Sequence, residues 1–195
     1  MQRERRDLAD LLDRLGPTAP TLCEGWDTAH LAAHLVVRER RPDALVGIGA
    51  VQVRPDSRLA GHAHRLEDRL RESASFGDVV GQVRAGPPAW SPMAWPRLGD
   101  ALNTTEFAIH HEDVRRAQPG WSPRTLARPD QDALWGAAGL FARRAAGRRG
   151  LVLRRADVPG VEKRFGAGGR TVEGEPLELL LWASGRRDAA RVQVS

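Results

Sequence analysis

Apolar residues recur along the first three quarters of the chain at the spacing of one helix face. Leu8, Leu11, Leu12 and Leu15 fall three or four apart and stop at Gly16-Pro17, which predicts a helix over 4–15. Asp27 is a ready N-cap for a second helix, Thr28 to Arg40, amphipathic through Leu31, Leu35 and Val36 and closed before Pro42. Ser57 to Glu72 and Phe76 to Val83 read as two more, and the Pro-rich run 86–92 excludes regular helix there. Leu98 to Ala117 carries an apolar stripe of Leu98, Leu102, Ile109 and Val114, ended by Gln118-Pro119-Gly120. A last long helix is expected from Pro129 to Ala146 through Leu134, Trp135, Ala138 and Phe141.

The period changes after Gly147. Leu151-Val152-Leu153 and Arg191 to Val194 read as strands, Glu162 to Phe165 and Arg170 to Glu173 as weaker ones, and Leu177 to Ser184 as a short helix closed by Gly185. The expected fold is mainly α: a helical bundle over residues 1–148, then a small α+β segment over 149–195.

Composition narrows the function classes. With 41% hydrophobic and 28% charged residues in 195, the chain can bury a core and is not a disordered segment. No apolar run is long enough to span a membrane, and the charged start has no apolar core of a secretory signal. Cys23 is the single cysteine, which fits a reducing cytoplasm and excludes an internal disulfide. The net charge of +5 is almost wholly arginine, dispersed among carboxylates, as around Arg3 to Asp10 and Arg65 to Glu72. Such a distribution gives no basic patch for nucleic acid, and none is expected as a partner.

The six histidines fall in three clusters: His30 and His34, His62 and His64, His110 and His111. His34 sits at the apolar stripe of its helix. Glu106 and His110, one turn apart, lie on the stripe of theirs. An inward carboxylate and imidazole are costly to bury without a partner, and a metal ion shared with His34 would supply one. Three protein ligands would leave a coordination position open, with Asp113 placed to hold the other ring nitrogen of His110. The plainer alternative is a solvated Glu106–His110 pair and a hydrogen-bonded core His34. His30 is a weaker candidate ligand by spacing. His62 and His64 read as a solvated face, His111 as packing or as a prop to the site, and Cys23 as a structural thiol. The six tryptophans read as core or loop anchors, with Trp90 and Trp95 in the Pro-rich loop at a pocket mouth.

Three segments carry a family resemblance. The stretch from Thr21 to Leu35, with Trp26 followed by His30-Leu31 and His34-Leu35, resembles the Trp-then-His-Leu segment of the DinB-like helical bundle superfamily. Glu106 to Asp113 is similar to the Glu-x-x-x-His-x-x-Asp element of its mycothiol-dependent maleylpyruvate isomerase group, in actinobacteria, and Gly174 to Arg186 to that group's C-terminal segment. The resemblance implies a four-helix DinB-like bundle in which His34, Glu106 and His110 bind a divalent metal, usually zinc. Many DinB-like proteins have a third histidine at the position of Glu106. The implied function is a mycothiol-dependent transferase or isomerase, in which a metal-bound thiolate attacks a small electrophilic substrate. Arg186 is the residue expected to meet the anionic cofactor or substrate, unless it caps the helix before it. A non-catalytic metal-binding or regulatory module and a metal-assisted hydrolase use the same ligands. A monomer or homodimer is expected.

Overall fold

The computed structural model describes residues 2–44, 57–95 and 98–195, with the backbone alone for 98–102. The side chains of Leu98 and Leu102, two positions of the predicted stripe, therefore lie outside the described residues. The chain divides into two compact units, residues 1–119 and 120–195.

The first unit is helical. Helix α1 (Gln2–Leu15) buries Leu8, Ala9, Leu11 and Leu12 and ends at Gly16, where a φ of 78° lets its N–H donate to the Leu12 carbonyl. Helix α2 (Thr28–Arg40) opens on Asp27, whose side chain accepts from the His30 N–H. The helices α3 (Arg58–Ser73) and α4 (Phe76–Ala85) are capped alike by Ser57 and Ser75. A short 3-10 turn, Pro92–Ala94, precedes α5 (Leu98–Arg116). Leu8, Leu12, Leu31, Leu35, Val80, Val83, Phe107 and Val114 form one core joining α1, α2, α4 and α5.

Helix α2 departs from the amphipathic expectation. It is buried almost all round, and its buried residues include His34, Arg38 and Glu39. A helix in that position must satisfy its charges inside the protein. Glu39 does so through Arg5 of α1, whose Nη1 lies 2.7 Å from its Oε2 and whose Nη2 bonds its Oε1. The same guanidinium donates to the Val83 carbonyl at 2.9 Å and stacks 4.1 Å over the Phe107 ring. Arg5 is thus one of the core residues, not part of a solvated charge run.

The second unit is a four-stranded sheet with two helices. Helix α6 (Arg128–Ala146) is followed by β1 (Leu151–Arg155), β2 (Glu162–Phe165), β3 (Arg170–Gly174), α7 (Pro176–Ala183) and β4 (Gln193–Val194). The sheet order is β2-β1-β3-β4, with β1 and β3 parallel and the outer pairs antiparallel. At its start, backbone lies directly on backbone: a Cβ on Gly150 would sit 2.2 Å from the Gly168 carbonyl oxygen, and one on Gly169 2.3 Å from that of Gly150.

The division falls at residue 119, well before the 148 read from sequence. Helix α6 has bundle-like periodicity, but its partners are α7 and the sheet. Buried Gln131 donates to Glu175 at 2.8 Å and accepts the Leu177 N–H at 3.1 Å, and Lys163 of β2 reaches the Trp135 carbonyl at 2.5 Å. Periodicity identifies a helix and its apolar face; it does not say which surface covers that face.

Candidate metal centre

The loop between α1 and α2 brings the first ligand candidate into position. Pro20 and Asp27 form an isolated β-bridge, and Thr21 Oγ1 accepts from the Cys23 N–H while donating to the Trp26 carbonyl at 2.8 Å. His34 follows two turns into α2, its ring 5.0 Å from that of Trp26. Helix α5 supplies Glu106 and His110 from one face, as the four-residue spacing requires.

The structure brings all three together. His34 Nε2 lies 3.1 Å from Glu106 Oε1, and His110 Nε2 lies 3.2 Å from the same oxygen. The two imidazoles meet edge to face with centroids 5.4 Å apart. One donor atom from each residue falls within 4.8 Å of the others. Both histidines are buried; Glu106 is half-buried.

The outward nitrogens fix the chemistry of the inward ones. His110 Nδ1 donates to Asp113 Oδ2 at 3.0 Å, and His34 Nδ1 to Glu67 Oε1 at 2.9 Å. A carboxylate only accepts, so the proton of each neutral ring sits on Nδ1 and the Nε2 lone pairs face each other across Glu106. Two protons on those nitrogens or one divalent cation between them carry the same charge of about +2. Burial alone would lower the His110 pKa, but Asp113, Cys23 and Glu106 outweigh it and hold the imidazolium well above its ordinary range. His34 is raised against its own burial by Glu106 and Glu67. Burial pushes Glu106 up, and the Arg38 charge with bonds from His110 and His34 more than reverses this, leaving its carboxyl well below the usual value. The donor set and its orientation fit a divalent cation.

Two further residues stand at the site that the sequence analysis did not single out. Glu67 sits on α3, 33 residues from His34, and is also reached by His64 Nδ1 at 3.2 Å. His64 itself stays on the solvated face expected of it, its side chain 45% exposed. Arg38 lies one turn beyond His34, with Nε 3.4 Å from Glu106 Oε1 and Nη1 donating to Asn103 Oδ1 at 2.7 Å. Its i+4 relation to His34 was the one available hint.

The other candidates go elsewhere. His30 Nδ1 donates to Asp27 at 2.7 Å, His62 to Asp43 at 2.9 Å, and His111 to Glu4 at 2.9 Å. Trp90 and Trp95 are exposed beside the 3-10 turn. Arg186 lies in the second unit, where its Nη1 donates to the Ser184 carbonyl at 3.0 Å at the end of α7, a capping bond. Cys23 is not isolated: Sγ donates to Asp113 Oδ2 at 3.2 Å and lies 3.9 Å from His110 Nδ1.

The fold recurs in solved structures. A histidine-to-alanine mutant of the mycothiol-dependent maleylpyruvate isomerase superposes with a TM-score of 0.62 at 16% identity, over 100% of this chain and 88% of that one. The mycothiol-dependent maleylpyruvate isomerase itself gives 0.55 at 19% identity, with the same coverage. No family model matches the chain, and no curated protein does. The likeness covers the whole of this chain, so a mainly α fold with a small C-terminal sheet, shared with these structures, is the fold of this chain. No helix among the described residues is long and apolar enough to cross a membrane.

Proposed function

We propose that the chain is a mycothiol-dependent transferase or isomerase that holds a divalent metal, zinc in the first instance, through His34, Glu106 and His110 and joins a low-molecular-weight thiol to a small electrophile. The observation that carries this reading is the pair of Nε2 atoms aimed at one carboxylate oxygen while both Nδ1 atoms are spoken for by Glu67 and Asp113. The thiol is suggested by the shared fold with structures described as mycothiol-dependent.

The residues divide the work. Glu67 and Asp113 keep each Nδ1 protonated and each ring in place. Arg38, itself fixed by Asn103, balances the charge of Glu106 and orients it. Trp26 packs its ring beside that of His34. When bound, the ion supplies an open position at which a thiol loses its proton near neutral pH. Bond formation from that sulfur to an electrophilic carbon would open the carbon's π bond or release a leaving group, giving a conjugate, or an isomer if the π bond re-forms and the thiol is expelled.

The test is optical. Adding mycothiol to the cobalt-substituted protein should produce a new sulfur-to-metal charge-transfer band that survives Cys23→Ser and vanishes in His34→Ala. Turnover of a panel of electrophiles should then require the thiol. No new band at saturating thiol overturns the proposal; bound metal without turnover favours the binding module, and turnover without thiol the hydrolase.

A further inference from the structure

His110 has two faces, and the proposed centre uses one. On the other, Nδ1, Cys23 Sγ and Asp113 Oδ2 come together with separations of 3.9, 3.2 and 3.0 Å. Three ligands of a tetrahedral ion held at about 2.0–2.3 Å stand roughly 3.3–3.6 Å from one another, so this triangle is already close to the required size. We propose that Cys23, His110 Nδ1 and Asp113 form a second metal site, for a thiophilic ion such as Cd²⁺ or excess Zn²⁺.

The site is built, not fortuitous. The Leu22 N–H donates to the Asp113 carbonyl at 3.0 Å, tying the loop to α5 beside the cluster, and the Cys23 N–H is held by Thr21 Oγ1 at 3.1 Å. Asp113 is fully buried and His110 nearly so, whereas Cys23 is half-buried, which gives an ion its entrance at the softest donor. Asp113 Oδ2 accepts from both neighbours. An entering ion replaces both protons at the donor atoms: the Sγ proton goes to solvent, and the neutral ring is left with its one proton on Nε2. The ion takes the carboxylate as third ligand, while Nε2 keeps its N–H toward Glu106.

That proton balance makes the two sites antagonists. The first needs the Nε2 lone pair with the proton on Nδ1; the second needs the reverse tautomer. One neutral imidazole serves one ion at a time. A thiophilic ion at Cys23 therefore evicts the ion at Glu106 without touching its position. This consequence rests on the proposed first centre; the second site does not.

The test separates them. In metal-free protein, one equivalent of Cd²⁺ should raise a near-ultraviolet thiolate-to-cadmium band in the unmodified chain and equally in His34→Ala, where the first centre lacks a ligand. Cys23→Ser should abolish the band, and Asp113→Asn should weaken cadmium binding at least tenfold. No band, or a band whose affinity is indifferent to Asp113→Asn, overturns the site, the latter reducing it to a lone thiol. With zinc-loaded protein, a chelating dye should report zinc release at lower cadmium in the unmodified chain than in Cys23→Ser. Release at equal cadmium overturns the antagonism. A chain that binds no zinc counts against the first centre and leaves the cadmium band as it was.

Discussion

The two units bury different things. The first places charge in its interior: Arg5 with Glu39, Arg116 with Glu112, and two imidazoles each backed by a carboxylate. The second fills its interior mainly with Leu151, Leu153, Val172, Leu177, Leu179, Leu180 and Leu181, and its buried Arg155 pairs with the more exposed Asp132 and Asp157. Burying ions costs several kcal/mol each unless geometry and hydrogen bonds repay it, whereas aliphatic burial stabilises at about 25 cal/mol per Å². The first unit is thus held to a particular arrangement of buried polar partners, and the second is held mainly by packing.

Breaking the comparison starts with the largest effect. Glu39→Ala strands the Arg5 guanidinium inside the core and should cost about 3–5 kcal/mol in urea unfolding. Replacing the pair together, Arg5→Met with Glu39→Leu, should recover most of that loss. A single variant within about 1 kcal/mol of the parent would mean that Arg5 escapes to water. In the second unit, Leu180→Ala should cost about 2–5 kcal/mol with no polar compensation available, and its ion binding should be unchanged. Leu180→Ala protein that loses the first centre's ion would contradict the division of labour.

Two smaller effects sharpen it. Glu67→Gln cannot hold the His34 proton as a carboxylate does, so metal affinity should fall about 10–100-fold while the melting temperature of the metal-free protein changes little. Affinity equal to the parent in a competitive titration would remove Glu67 from the site. The smallest effect is in the second unit. The Arg155 guanidinium holds the Asp157 carboxyl below its unfolded value of 3.8. A depressed acid contributes stability that is present above the unfolded value and lost as pH falls through the folded one. Stability should therefore drop as pH is lowered past about 3.8, and Asp157→Asn should flatten that slope in pH-resolved denaturation. Identical slopes would place the loss elsewhere.

The regular elements were legible because each is written locally. Leu8, Leu11, Leu12 and Leu15 mark the face of α1, and Asp27 and Ser57 mark where α2 and α3 start. The meeting of His34 with Glu106 and His110 was legible too, since each sits at an apolar stripe where a polar group needs a partner. What was not legible depends on partners remote in sequence. Arg5 looks like any surface arginine until Glu39 is placed opposite it. Glu67 lies in a run of charges, and nothing local separates it from Asp68, which is exposed. Cys23 gains its neighbours from residues 87 and 90 positions away. The covered face of α6 could not be assigned, because an apolar stripe is equally content against a helix or a sheet.

The stretch from Gly16 to Asp27 has almost no regular structure, yet several of its amides are hydrogen-bonded within the protein. The amide of Leu22 ends on Asp113, that of Cys23 on Thr21 and that of Trp26 on Cys23, while Thr28 and Ala29, at the start of α2, donate back to Ala19 and Pro17. In deuterium exchange these amides should open with α2 and α5 instead of fraying first, as exposed connections do. For the chemistry beside it, the reach of the Cys23 sulfur is then set on the timescale of helix opening. A reagent that modifies this thiol in seconds does so in the closed protein, through the half-buried entrance, without waiting for the loop to unfold.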